Sequence, residues 1–282
     1  MRAAIAAAIV LLGATLDLHT APRQTFRTSV DAVRVDVLVT QDGQPVRGLR
    51  AADFEIRDNG VLQQVDLVSF EEVPVNMMLA LDLSGSVTET GLGHLRAAGE
   101  AVLAGLRHDD RAGLVTFSHV VSERSPLSTD LASLRKAVGR VRSAGGTALI
   151  DASQAGMILA ESGTGRGLLV IFSDGVDTSS WLSRELVLAT ARRSEAVVYA
   201  VAVGQTADDF LEDLTDLTGG RLLRAETTDK VRALFVDVLE EFRHRYLVSF
   251  SPQGVERGGW HSLRVRVRGR RVTVRARPGY GH

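Results

Sequence analysis

Three near-continuous apolar runs, Met77 to Leu81, Leu168 to Phe172 and Val197 to Val203, constrain this chain more than any other feature. A strand with no polar alternation is buried on both faces. Between the runs the apolar period changes from one to about 3.6. Leu95, Ala98, Val102 and Leu106 form one helical stripe, and Leu131, Leu134, Val138 and Val141 form another. Val231, Leu234, Phe235, Val238, Leu239 and Phe242 follow the i, i+3, i+4, i+7 rule, and a further helix is expected near Arg184 to Arg193. Gly113 to Phe117 reads as one more strand. Strands alternating with amphipathic helices imply an α/β fold with a mainly parallel sheet covered on both faces. This region runs from 74 to 242.

The flanks have period two. Val33, Val35, Val37 and Val39 alternate with other residues, and Asp42-Gly43 and Asn59-Gly60 are hairpin turn signals. Residues 26 to 72 are therefore expected to be β. So are residues 244 to 282, with strands at Tyr246 to Phe250, Ser262 to Arg268 and Val272 to Arg277 and a turn at Gly269-Arg270-Arg271. Each flank is too small to bury a good core alone. The expectation is that they pair into one accessory, sandwich-like β module with the α/β domain inserted between them.

The first 22 residues read differently. Arg2 precedes Ala3 to Ala14, an uncharged apolar run too short to span a membrane comfortably. It matches a secretory signal peptide or an uncleaved N-terminal anchor, and so points to an exported, periplasmic, cell-envelope or secreted protein with no membrane span in the mature chain unless the leader stays. The whole chain, with 45% hydrophobic and 24% charged residues, has the composition of a soluble globular protein. Thirty-three basic residues against 34 acidic ones leave no field favouring nucleic acid. The chain has no cysteine, which excludes disulfides, thiolate zinc sites and cysteine nucleophiles.

Polar residues gather at the ends of the apolar runs. Asp82-Leu83-Ser84-Gly85-Ser86 follows the first, and Ser173-Asp174-Gly175 follows Leu168 to Phe172. Gly145-Gly146-Thr147 lies just before a helix expected near Leu149. In open α/β sheets, ligands sit at the carboxyl ends of the strands. Asp82, Ser84, Ser86, Thr147 and Asp174 would then supply three hydroxyls and two carboxylates to one place. Oxygen-only ligands suit a hard divalent cation. Taken singly, each residue has an ordinary role as an N-cap or turn residue.

As a set, Asp82-x-Ser84-x-Ser86, Thr147 and Asp174 resemble the metal-ion-dependent adhesion site of von Willebrand factor type A domains, and the resemblance covers about residues 74 to 242. It implies a Rossmann-like, doubly wound domain and bound Mg²⁺ (or Mn²⁺ or Ca²⁺), with Ser84, Ser86 and Thr147 as direct ligands and Asp82 and Asp174 binding directly or through water. It also implies a protein partner that offers a Glu or Asp to the metal, and raises a conformational switch in the last helix, near 229 to 243. The whole chain resembles exported bacterial proteins, abundant in Acidobacteria, that carry this domain. Tyr246 to Pro252 and the ending Arg277-Pro278-Gly279-Tyr280 support that likeness.

The resulting expectation is a cation-dependent adhesion or protein-binding module and not an enzyme. The alternative is a metal-assisted hydrolase on the same scaffold. No Gly-x-Ser-x-Gly elbow, Walker loop or His-Glu-x-x-His is present. His94 and His119 are the histidines considered as a base. Arg264, Arg266, Arg268, Arg275 and Arg277 are expected on one solvated sheet face, Asp177 in solvent, and Asp208, Asp209, Glu212 and Asp213 at a helix start.

Overall fold

The computed structural model describes residues 32–203 and 209–281. The leader expected over 1–22 and Asp208 lie outside the described residues.

The N-terminal flank supplies β1 (Val33–Gln41), β2 (Gln44–Pro45), β3 (Phe54–Asp58), β4 (Val61–Gln63) and β5 (Val65–Phe70). The central region follows with β6 (Val75–Asp82), α1 (Glu89–Ala104), β7 (Arg111–Phe117), β8 (Val121–Ser128), α2 (Leu131–Gly139) and α3 (Leu149–Ala160). It continues through β9 (Arg166–Ser173), α4 (Arg184–Ala191), β10 (Val197–Val203), α5 (Asp209–Thr218), β11 (Leu222–Ala225) and α6 (Val231–Arg243). The C-terminal flank is β12 (Arg245–Phe250), β13 (Trp260–Val267), β14 (Thr273–Arg275) and β15 (Gly279–Gly281).

The central sheet has the order β11-β10-β9-β6-β7-β8. Its pairings are parallel except for the β7–β8 pair at one edge. Every residue of β6 is buried, as its continuous apolar run requires. Met77, Leu79 and Leu81 join the core layer that contains residues of α1, α2 and α6. Met78 and Ala80 join the opposite layer, with residues of α3, α4 and α5. One strand with period two thus serves both layers. Strand order reverses between β6 and β9, so a crevice opens where those two strands end, at Asp82 and Ser173.

The flanks do pair. One sheet runs β14-β1-β12-β5, with β2 on β1, and the other runs β15-β13-β3-β4. Each mixes strands from both ends of the sequence. Val35, Val37 and Val39 pack with Phe54, Ile56, Tyr246, Val248, Phe250 and Leu263 in a single core. Both hairpin signals hold: Asp42 and Gly43 have φ of 52° and 78°, and Asn59 and Gly60 have 46° and 85°. Positive φ at both central residues is what a two-residue turn between twisted strands demands.

The module meets the central sheet at the end where the parallel strands begin. Arg166, the first residue of β9, donates through Nε to Asp36 of β1 at 2.8 Å and through Nη2 to the same carboxylate. Its guanidinium lies 4.6 Å from the centroid of the Phe242 ring. Arg245 is fully buried and donates to the Tyr199 hydroxyl at 3.0 Å and to the Gly219 carbonyl at 2.7 Å. Arg243 reaches Asp110 at 2.6 Å, and Asp110 also accepts from the Val75 amide.

Two expectations need correction here. Arg264, Arg266 and Arg268 are exposed, but Arg277 is buried and donates to the carbonyls of Gly279 and Arg192. Strand β14 ends at Arg275, so the chain turns before Arg277 and carries it under α4. Burial pushes its pKa below the usual arginine range. Arg275 is exposed as expected, but β14 belongs to the other sheet, and Arg275 donates to the Gly220 carbonyl at 3.0 Å. Asp177 is not simply solvated. It accepts from the Ile150 amide in the first turn of α3 and from the Ser180 hydroxyl at 2.5 Å. Asp209, Glu212 and Asp213 do lie near the start of α5.

Candidate metal centre

The five oxygen-bearing residues converge on the crevice. Asp82 ends β6 and is fully buried. Its Oδ1 accepts from the Ser84 amide at 2.9 Å and its Oδ2 from the Ser173 hydroxyl at 2.7 Å. The first of these bonds folds the loop sharply, so that both serines face the crevice. Ser84 Oγ lies 2.8 Å from Ser86 Oγ, and Ser86 Oγ donates to Asp174 Oδ1 at 2.8 Å. Thr147 arrives from a separate loop. A methyl group placed on Gly175 would lie 3.4 Å from Thr147 Oγ1 and 4.0 Å from Ser86 Oγ, so these hydroxyls flank the Asp174-Gly175 turn.

The loops are fastened to one another. Gly85 N donates to Gly145 O at 2.9 Å and Ala144 N to Leu83 O at 2.8 Å. Thr147 N donates to Thr178 Oγ1, and Thr147 O accepts from the amides of Thr178 and Ser179. Asp151 accepts from the amides of Trp181 and Leu182. The main chain beside Ser84 and Thr147 is thus held by bonds within the chain. The sequence does not mark Ser173 or Asp151 as site residues, and it leaves Asp177 between tuning the site and sitting in solvent. Ser173 is adjacent to Asp174, but nothing in its spacing shows that it bonds Asp82 across two strands.

Electrostatically the cluster is short of positive charge. Burial raises the pKa of Asp82, hydrogen bonds from Ser173 and Ser84 oppose that, and the nearby Asp174 adds to the rise. A doubly charged cation would relieve both effects. Among the described residues no group of three or more His, Cys, Asp or Glu side chains is placed to hold a metal. A cation here therefore depends on the hydroxyls, and the all-oxygen donor set fits a hard divalent ion. Ser86 and Gly85 are exposed, so the cluster opens to solvent on one side.

The histidines lie elsewhere. His94 Nδ1 is 2.6 Å from Thr228 Oγ1, linking α1 to the segment before α6. His119 sits against Gly145, with Nδ1 3.5 Å from Ser118 Oγ. Among the described residues neither hydrogen-bonds Ser84. The loops that follow β7 and β9 carry exposed apolar side chains: Val120 after β7, and Val176 and Trp181 after β9, the last 93% exposed.

Known proteins share the fold of the central domain. The profile of the von Willebrand factor type A domain matches residues 76–236. The chain is similar to the mouse inter-alpha-trypsin inhibitor heavy chain H2, at 22% identity over 206 residues; the match covers 67% of this chain but 22% of the mouse protein. Among solved structures it resembles a von Willebrand factor type A protein from Catenulispora acidiphila, with a TM-score of 0.56 and 11% identity, over 86% of this chain and 76% of that one. It also resembles proximal thread matrix protein 1 of the mussel byssus, described with a zinc-occupied MIDAS motif, with a TM-score of 0.57 and 14% identity, over 66% of this chain and 49% of that one.

Proposed function

Because the chain belongs to the von Willebrand factor type A family, we propose that its central domain binds a divalent cation through Asp82, Ser84, Ser86, Thr147 and Asp174 and uses it to capture an acidic side chain of a protein partner. One observation carries this reading. Three hydroxyls and two carboxylates from three separate loops meet at the topological switch point, and one side of the cluster is open. Neutral hydroxyls leave much of the charge of a divalent ion uncompensated. A carboxylate from outside is then an effective last ligand. The cation supplies charge and an open coordination position. The chain's own residues set where that position points, through the bonds of Ser173 and the Ser84 amide to Asp82.

Every donor is oxygen, which suits Mg²⁺, Mn²⁺ or Ca²⁺. The exposed Trp181, Val176 and Val120 would make the apolar contacts that fix a partner's orientation, since an aromatic anchor beside a charged centre is a common source of binding energy. The apolar run of the leader supports export to the cell envelope or beyond. Among the described residues no helix is long and apolar enough to cross a membrane.

Titration calorimetry with Mn²⁺ tests the metal site. Binding is expected in the natural chain and its loss in Asp82→Asn, which keeps the shape of the buried side chain. Surface capture of an envelope protein should then require Mg²⁺ and be reversed by EDTA. Retention of the partner after chelation would refute the bridge. So would ester or phosphate turnover that disappears with Ser84→Ala.

A further inference from the structure

Beside the metal loop the surface is concave and basic. Two adjoining clefts, of about 430 and 550 Å³, share Arg140, Val141 and Arg142. Leu83 and Arg124 also line the smaller one, and Arg96 and Glu89 the larger. Leu83 stands between Asp82 and Ser84, so the smaller cleft has a wall in common with the candidate metal loop. Arg142 belongs to the same connection that carries Thr147, and that connection is bonded to Leu83 through the Ala144 amide.

The charge in these clefts is unbalanced. Among the described residues Arg124, Arg140 and Arg142 form no ion pair. Arg124 Nε donates to the neutral Thr116 hydroxyl at 2.9 Å. Arg96 reaches Glu89 at 3.2 Å, but that carboxylate is 82% exposed and offsets little of the charge. Arg96 also donates to the Val141 carbonyl at 2.8 Å, yet its Nε is buried without an acceptor. A buried donor left unbonded is costly and rare. The chain as a whole has a net charge of −1, so four guanidiniums facing one carboxylate reflect local placement. Concave walls carrying one sign of charge focus the field and concentrate counter-ions.

We propose that Arg96, Arg124, Arg140 and Arg142 form a subsite for an acidic protein segment: a partner that sets one carboxylate on the metal lays further Asp or Glu side chains across these arginines. The proposal rests on the metal-bridge reading and specifies the partner it requires. Guanidinium groups pair with carboxylates in a two-pronged geometry. Two clefts in a row suit several carboxylates along a chain better than one small oxyanion. The shared wall at Leu83 makes the subsite continuous with the metal loop.

Two labelled synthetic peptides of equal length, one with a single Asp and one with four acidic residues, provide the test by fluorescence anisotropy in Mg²⁺. The four-acid peptide should bind about tenfold more tightly, and about 0.5 M salt should remove most of that advantage. Arg140→Ser with Arg142→Ser should bring it to the level of the single-Asp peptide. Arg140→Lys with Arg142→Lys should retain part of it, and Mn²⁺ affinity by calorimetry should be the same in all forms. An advantage that persists in the double serine variant overturns the subsite. Displacement of the four-acid peptide by inorganic phosphate at matched ionic strength also overturns it, because the clefts would then be an oxyanion pocket. The two readings fail separately. Arginine-dependent binding that survives EDTA upholds the subsite and sinks the metal bridge. Metal-dependent binding with no gain from extra acids does the reverse.

Discussion

The two ends of the central sheet put charge to opposite uses. Where the parallel strands begin, Arg166, Arg243 and Arg245 are buried and each is paired with a carboxylate, a hydroxyl or a carbonyl. Where they end, Asp82 is equally buried, but its partners are neutral donors and its neighbour Asp174 repels it. Charge that is buried and compensated holds two parts of a protein in register. Charge that is buried and left without an opposite ion marks a place where something from outside is required. The same β strands present both conditions about 25 Å apart, the length of an eight-residue strand.

The comparison is most easily broken at the compensated end. Arg166→Ala leaves Asp36 buried with no partner, and should cost about 3–5 kcal/mol in urea unfolding, the usual penalty for breaking a buried ion pair. Replacing both partners at once, Asp36→Leu with Arg166→Met, should recover most of that loss. A small effect of Arg166→Ala would mean that the pair does not fasten the β module. At the other end, saturating Mg²⁺ at about 100 times its dissociation constant should stabilise the natural chain by about 2.7 kcal/mol, and should leave Asp174→Ala unchanged. Thermal unfolding with and without the ion measures this. An equal shift in both proteins would remove Asp174 from the site. The smallest effect is expected at Trp181. Trp181→Ala should alter stability by less than about 0.5 kcal/mol, since so exposed a ring loses little packing, while weakening partner capture in Mg²⁺.

The two ends also differ in how far sequence foretells them. The convergence of Asp82, Ser84, Ser86, Thr147 and Asp174 at one end is legible because each sits in a short motif near the end of an apolar run or the start of a helix, and because glycines mark the loops that bring them together. The central strands are legible for the same reason of unbroken apolarity, and the hairpins from Asp-Gly and Asn-Gly. Strand β8 is not. Val121–Ser128 is mostly polar and includes Pro126, which an edge strand tolerates and a sequence pattern reads as loop. The arginine network is hidden for a different reason. Arg166, Arg245 and Arg277 have the same letter as the exposed Arg264 and Arg266, and only long-range packing brings Asp36, Tyr199 and the Arg192 carbonyl to them. Asp177 shows the same limit, because its partners, the Ile150 amide and Ser180, are assembled by the meeting of two loops.

The central domain leaves the β module through residues 71–74 and returns through His244, and these two connections join neighbouring strands: β5 and β12 pair, with Phe70 opposite Tyr246. Mechanically, tension applied to the central domain would reach the module through two covalent connections side by side and through the buried Arg166–Asp36 pair. Tension enters the sandwich through adjacent strands drawn in the same direction, so neither is peeled from the other, and β12 passes its share to β1 through the six paired residues from Val33 to Leu38. The inserted domain is thereby hung from two adjacent strands as well as from the Arg166–Asp36 contact, and a pull on it is shared between them.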